Sequence, residues 1–278
     1  MKIEVVTDST SDLPEYVVRQ LRITVVPALL QFGDTVYRDG VDLSTYEFYS
    51  KLRINSVLPR TSAPSPGTFK EVYSQLSQQA DGIVSIHVSA KMSATYDAAR
   101  LGSAGLKCPI LIIDSQTASM ACGLLAIIAA RAARDGASLS EIEALVQAAV
   151  PRTVTYGVFG TLEYLYKGGR IGRAQAFLGS MLKINPILAI RAGEIVPIAR
   201  VRTRTKAVER LCEILRDSGM PQEMSVMSTT EPEEAEGLAQ RLAPIFPPER
   251  MYLATIGPAM GTYVGPGAIG VSVIWQEK

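Results

Sequence analysis

Along the first half of the chain, short apolar runs alternate with stretches whose apolar positions recur every three or four residues. "IEVV" (3–6), "GIVSIHV" (82–88) and "PILIID" (109–114) read as buried strands. "ITVVPALLQF" (23–32) is a further strand signal, interrupted by Pro27. Helical spacing covers 11–21, 44–52, 65–80, 93–103, 117–134 and 138–150. Three of these stretches open on start signals: Ser11 or Asp12 as cap with Pro14 in the first turn, Ser44, and Ser65 followed by Pro66. Strands alternating with helices predict a parallel sheet with helices on both faces.

Past about Tyr156 the rhythm changes. "TVTYGVFG" (153–160) reads as a strand, 161–169 as a short helix stopped by Gly168 and Gly169, and 173–182 as a helix. Residues 183–203 read as a hairpin turning at Ala192-Gly193. A helix (205–217), a strand (223–229), a helix (231–243) and two last strands (251–256, 269–275) follow. The predicted fold is α/β. An N-terminal parallel-sheet α/β/α domain takes 1–155, and a C-terminal α+β domain with a mixed or antiparallel sheet takes 156–278, with elements open to exchange across the boundary.

Composition narrows the function classes. The net charge of +1 gives no whole-protein field to draw the chain onto nucleic acid or an anionic membrane. Cys108, Cys122 and Cys212 are widely spaced and odd in number, which is neither a disulfide framework nor a metal pattern. The opening "MKIEVV" reads as a strand rather than a signal peptide, and "MACGLLAIIAA" (120–130) is too short to span a bilayer. A soluble, cytoplasmic monomer is the expectation. Catalytic signals are few. The one histidine, His87, lies inside a strand pattern, where a structural role is expected, and neither a G-x-S-x-G elbow nor a phosphate-binding G-x-x-x-x-G-K-[ST] loop occurs. "GPGAIG" (265–270) fits G-x-G-x-x-G, yet a strand pattern follows it and no helix, so its glycines read as a tight turn or a close backbone approach. No cofactor or metal is expected.

The chain is rich in hydroxyls where strands should end: "TDSTSD" (7–12), the loop "RTSAPS" (60–65), "SAKMSATY" (89–96) and "DSQTAS" (114–119). Ligands of open α/β sheets bind beyond the carboxyl ends of the strands, where helix N-termini offer N–H groups. Each hydroxyl taken alone reads first as a helix cap. Converging, the four loops would make a polar anion pocket. Arg170 in "KGGRIG" (167–172) adds a cation whose fork suits a carboxylate or phosphate. Arg200, Arg202 and Arg204 would share one face if "ARVRTRT" is a strand, making either a solvated face or a docking patch.

Taken together these motifs resemble the DegV family of fatty-acid-binding proteins. The matching pieces are "TDSTSDLP" (7–14), "PRTSAPSPGTFKEVY" (59–73), "VSIHVSAKMSATYDAA" (84–99), Asp114-Ser115, "LEYLYKGGRIG" (162–172), "INPIL" (184–188), "RTRTKA" (202–207) and "GPGAIG" (265–270). The resemblance implies two domains with a long-chain fatty acid, such as palmitate or oleate, in an apolar tunnel between them. It implies a non-catalytic, bacterial lipid-binding subunit that presents the carboxylate to a separate fatty-acid kinase, whose acyl phosphate feeds phospholipid synthesis. By motif position, Thr61 and Ser93 would hydrogen-bond the carboxylate, Ser62 and Arg170 would join the same network, and Arg202 would face the kinase. The chain departs from the family pattern at Ala63, where Gln is common, at Met92 and Ala94, and at Tyr263, where kinase-coupled members often carry His. Tyr263 retains one hydrogen-bond donor but cannot become cationic near neutrality as His can.

Physical chemistry agrees with a lipid carrier. A carboxylate taken from water needs several donors to stay ionised. At about 0.8 kcal/mol per buried methylene, a 14-methylene tail supplies roughly 11 kcal/mol before ordering costs. Tunnel walls are expected from 176–188 and from the 153–160 strand. The alternative from the enzyme class is a hydrolase or acyltransferase with Ser93 or Ser62 as nucleophile, with Lys91 as its conceivable base.

Overall fold

The computed structural model describes residues 1–54 and 57–277, with the backbone alone for 178–183. In chain order the elements are β1 (Ile3–Asp8), α1 (Glu15–Leu21), β2 (Thr24–Val26), β3 (Leu29–Phe32), β4 (Thr35–Arg38), α2 (Thr45–Ile54), β5 (Arg60–Ser62), α3 (Pro66–Leu76), β6 (Gly82–His87), α4 (Thr95–Ser103), β7 (Ile110–Asp114), α5 (Met120–Arg134) and α6 (Leu139–Ala149). There follow β8 (Thr153–Val158), α7 (Glu163–Lys167), β9 (Asn185–Arg191), β10 (Glu194–Val201), α8 (Arg204–Ser218), β11 (Pro221–Ser228), α9 (Pro232–Leu242), β12 (Tyr252–Thr255), α10 (Pro258–Val264) and β13 (Ile269–Trp275).

The strands form three sheets. Four parallel strands run in the order β2-β1-β6-β7, as the alternation of the first half predicts. Six strands, mostly antiparallel, run in the order β10-β9-β8-β13-β11-β12, with β11 and β12 parallel. The fold is therefore mixed α/β. The third sheet, β4-β3-β5, is small and antiparallel, and sequence periodicity does not reveal it. Pro27 marks the point where the chain leaves the parallel sheet for this one. Arg60–Ser62, which reads as loop in the sequence, is its edge strand, with Thr61 opposite Leu30.

Helix α5 is the centre of the molecule. Every residue from Met120 to Ala130 is buried, because one side packs on β1 and β6 and another on β8, β11 and β13. A helix apolar on all sides belongs in such a place. Gly123 allows the contact with the preceding segment, since a Cβ there would lie 2.8 Å from the Ser11 carbonyl oxygen. Among the described residues no helix is long and apolar enough to cross a membrane.

Three sequence expectations change. The first helix starts at Glu15, not Ser11. Residues Ser9–Ser11 make a 3-10 turn capped by the Asp8 side chain, and Asp12 adopts φ 52°, which releases its carboxylate for contacts described below. The arginines 200, 202 and 204 do not share a strand face, because β10 ends at Val201 and Arg204 opens α8. Arg204 donates to Glu234 and to the Val158 carbonyl, while Arg200 stacks 4.3 Å from the Phe177 ring centroid. The helix expected at 173–182 is a 3-10 segment, Gly172–Lys183. In "GPGAIG", Gly265 and Gly267 have φ 71° and 72° in the turn before β13, and Gly265 lies flat against the Tyr164 ring.

Helices α3 and α4 touch most closely at Gly102, where a Cβ would stand 2.6 Å from Phe69 Cβ and 2.7 Å from the Pro66 carbonyl oxygen. Gly102→Ala gains about 1 kcal/mol of helix propensity but forces two backbones apart, at a cost of about 1–3 kcal/mol. A net loss of stability is expected, read as a lower urea midpoint with an unchanged m-value.

Candidate ligand-binding site

The carboxyl ends of the parallel strands, the edge strand β5, the central strands of the six-stranded sheet and helix α10 enclose a cavity of about 330 Å³. That is within the size range of small-molecule sites. Most of its wall is apolar: Val88, Met92, Phe159, Leu188, Ile190 and Ile195 all line it. The wall residues expected from 153–160 and 176–188 are there in part, as Thr155, Gly157, Phe159 and Leu188. The side chains of 178–183 lie outside the described residues.

All four hydroxyl-bearing loops reach this cavity, through Thr10, Thr61 with Ser62, Ser93 with Thr95, and Ser119. Thr61, Ser62, Ser93, Arg170 and Tyr263 all line it, whereas Arg202 sits exposed on the turn between β10 and α8. The polar members are contiguous. Thr61 Oγ1 and Tyr263 Oη are 2.5 Å apart. The Arg170 guanidinium lies 5.2 Å from the Tyr263 ring centroid and donates to the carbonyls of Met92 (3.3 Å) and Gly168 (3.0 Å). Ser93 Oγ is 2.8 Å from Thr95 Oγ1. Two hydroxyls joined by one hydrogen bond hold one proton more than the bond uses. Each of the pairs Thr61–Tyr263 and Ser93–Thr95 therefore has a proton available to an anion. Thr61, Arg170 and Tyr263 also line a surface groove with Arg60 and Lys167, so the polar group forms the mouth of the cavity.

Local sequence explains these placements. Ser65 accepts from the Thr68 amide and starts α3 with Pro66 behind it, which leaves Thr61 and Ser62 on β5 free of capping duty. Tyr263 comes from α10, a helix overlooked in the sequence reading. Its marks were Pro258 at the first position after Gly257 and Gly265 at the end. Gly261 lets α10 press on α2, since a Cβ there would meet Tyr49 Oη at 2.6 Å. The β9–β10 hairpin closes one wall. At its tip Gly193 N donates to the Gln116 carbonyl (2.7 Å), and Lys91 Nζ donates to the Ala192 carbonyl (3.0 Å) and reaches Glu194 (3.3 Å).

The nucleophile reading loses its base. Ser93 bonds Thr95, and Lys91 is turned to the hairpin. His87 is fully buried, with Nδ1 2.9 Å from Asp8 Oδ2 and Nε2 2.7 Å from Ser85 Oγ, which is itself 2.8 Å from Tyr73 Oη. Burial pushes the Asp8 carboxyl up, but the bond to His87 and its charge, with Thr10 and the Val88 amide, outweigh burial and hold it below its ordinary value. Among the described residues no group of three or more His, Cys, Asp or Glu side chains is placed to hold a metal ion.

Comparison with known proteins places this architecture. The model of the DegV family, described as uncharacterised proteins, matches residues 2–276. A DegV domain-containing protein of Streptomyces coelicolor is 36% identical over 275 residues, 98% of each chain. The solved structure of a DegV family protein from Thermus thermophilus, described by its fatty acid binding, superposes with a TM-score of 0.93 at 31% identity, covering 99% of this chain and 100% of that one. DegV of Bacillus subtilis, described as a fatty acid binding protein, superposes at 0.90 with 31% identity and the same coverage.

Two buried acids stand behind the cavity, and their residue types alone did not reveal the role. Asp12 accepts from Ser119 Oγ (2.5 Å) and from the Gly257 amide (2.8 Å), tying the starts of α5 and α10 to the first loop. Burial raises its pKa to about 8, against the pull of those two bonds. Burial also raises Asp39 to about 6, with Ser9 and the Ala259 amide pulling it down. A folded-state pKa above the unfolded value means that the folded protein holds a proton the unfolded chain has released. Between the ordinary 3.8 and about 8, Asp12 therefore makes stability fall as pH rises. Asp12→Asn removes that slope. The melting temperature of the variant relative to the parent is expected to climb from pH 4 to pH 8, by the equivalent of on the order of a few kcal/mol.

Proposed function

The chain belongs to the DegV family, and from that membership we propose that it carries a long-chain fatty acid, such as palmitate or oleate, in the cavity. The observation that carries this reading is an enclosed apolar space whose mouth has two uncommitted hydroxyl protons and a guanidinium. Thr61 and Ser93 donate to the carboxylate, one to each oxygen. Tyr263, Ser62 and Arg170 complete the network. Tyr263 takes the place of a histidine through its shared bond with Thr61, and the positive charge that a histidine would supply comes from Arg170 instead. Among the described residues no acid lines the mouth, as an anionic ligand requires.

The carrier is the non-catalytic, cytoplasmic, monomeric partner of a separate kinase. The carboxylate lies at the mouth, next to a surface groove bearing Arg60, Lys167 and Arg170, where a phosphoryl donor held by a second protein has access to it. Arg202, exposed beyond β10, belongs to the docking surface for that kinase. The transfer forms a bond between a carboxylate oxygen and phosphorus, and the nucleotide leaves from phosphorus. The carrier contributes position and charge only.

Organic extraction of the purified protein followed by mass spectrometry is expected to yield a long-chain fatty acid. No lipid, together with no thermal shift on adding palmitate or oleate, would overturn the reading. Thr61→Val removes one hydrogen bond to a charged group, so fatty-acid affinity is expected to fall about 10- to 100-fold. The fold stays intact because Ser65 and Pro66 still start α3. Unchanged affinity would remove Thr61 from the site.

A further inference from the structure

The cavity has a second polar end. Helix α10 runs along it, with Tyr263 at the mouth and its N-terminus, Gly257, held by Asp12, which also holds Ser119. Six residues of helix separate those points, roughly 9 Å. At this inner end Ser119, Thr155 and the Met227 thioether line the wall. Thr155 is there by strand alternation. Thr155, Gly157 and Phe159 line the cavity, Tyr156 reaches it as well, and Val154 and Val158 belong to the core on the opposite face of the sheet. Register sets Ser272 beside Thr155, and Ser225 beside Ser272, so a row of three hydroxyls crosses β8, β13 and β11. Ser225 Oγ is buried and has no hydrogen-bond partner among the described residues.

An alkyl tail has no use for hydroxyls, and an unmatched polar group in an apolar wall weakens binding. Their protons are already directed. Thr155 Oγ1 lies 3.2 Å from the Ala118 carbonyl oxygen and 2.9 Å from Ser272 Oγ. Ser119 Oγ lies 2.5 Å from Asp12 Oδ2 and 3.1 Å from Met227 Sδ. Whichever hydroxyl donates, the protons of Ser119 and Thr155 have acceptors within the protein (the Ala118 carbonyl or Ser272 Oγ for Thr155, Asp12 or Met227 Sδ for Ser119), and each of those two oxygens keeps a lone pair. The mouth donates; the inner end accepts. A ligand group that satisfies it must therefore be a donor, which excludes a second carboxylate or a ketone. Asp12, its pKa raised by burial to about 8, is mostly neutral at pH 7 and leaves little fixed charge there to draw an ion.

We propose that Thr155 and Ser119 form a subsite for a hydroxyl group carried on the acyl chain away from the carboxylate, so that the ligand class includes hydroxy fatty acids. This rests on the carrier reading above. The Thr155 and Ser119 oxygens accept from the ligand hydroxyl, and the carboxylate stays at Thr61 and Ser93.

The test compares dissociation constants of 12-hydroxystearate and 16-hydroxypalmitate with those of stearate and palmitate, in the parent protein, Thr155→Val and Ser119→Ala. The 2-hydroxypalmitate analogue, whose hydroxyl stays at the mouth, is the positional control. In the parent at least one distal hydroxy acid is expected to bind within about threefold of its unsubstituted counterpart, where an unmatched hydroxyl would lose about tenfold or more. In Thr155→Val or Ser119→Ala the affinity ratio of that hydroxy acid to its counterpart is expected to fall about tenfold, with the 2-hydroxy ratio unmoved. The ratio is internal to each variant and does not depend on their absolute affinities. Both distal hydroxy acids binding tenfold weaker than their counterparts in the parent, or ratios unmoved in both variants, would overturn the subsite while leaving the carrier standing. Failure of stearate and palmitate to bind the parent at all would bring down both.

Discussion

A helix that is apolar on every side must be covered on every side. Helix α5, buried from Met120 to Ala130, meets that demand by lying between the parallel sheet and the six-stranded sheet. Each buried Met, Leu or Ile of the helix is worth about 1.5–3 kcal/mol relative to exposure, so separating the sheets would be costly. The sheets are thus held at a separation set by one helix diameter. Ahead of the first turn of α5, at Ser119, that separation continues without the helix, and the space left is the cavity. The site is a consequence of where the helix starts.

That space is closed by parts from distant points of the sequence. The edge strand β5 brings Thr61, α10 brings Tyr263, the turn after α7 brings Arg170, and the loop before α4 brings Ser93. Glycines make the close approaches possible. Gly261 admits the Tyr49 hydroxyl, and Gly168 and Gly265 admit the rings of Tyr263 and Tyr164. The electrostatics follow the same division of space. Proton donors and a guanidinium gather at the mouth, while Asp12 sits behind the wall, raised by burial to about 8 and so mostly relieved at neutral pH of a charge that would repel an anionic ligand.

What could be read in the sequence follows from range. The parallel strands, the central helix, the Ser65-Pro66 start and the turn at Ala192-Gly193 are local patterns, and each lies where periodicity and turn chemistry put it. The three-stranded sheet is made of strands of three or four residues, half in contact with solvent, too short for alternation to register. Asp12 looked like a helix cap because the residue types that cap helices are the same ones that bind across a fold; only its φ of 52° and its partners 107 and 245 residues away distinguish the two roles. Individual hydroxyls at strand ends read first as caps, and only their convergence argues for ligand donors. The family resemblance, rather than spacing, singled out Thr61, Ser93 and Arg170, and no local signal pairs Thr61 with Tyr263 across 202 residues.

The hairpin tip carries one more implication, for anyone who engineers the chain. A two-residue turn between antiparallel strands is ordinarily the safest place for a tag, a label or an inserted domain. Here Gly193 is buried, and a Cβ on it would stand 2.4 Å from Ser89 Oγ. The turn is a fastened joint, clasped by Gln116 and Lys91 just ahead of Ser93. An insertion at 192–193 would lift the apolar wall formed by Ile190 and Ile195 and disturb the loop that carries Ser93 in the same movement. Attachment points belong instead on the exposed faces of α8 and α9, which pack on the face of the six-stranded sheet turned away from the cavity.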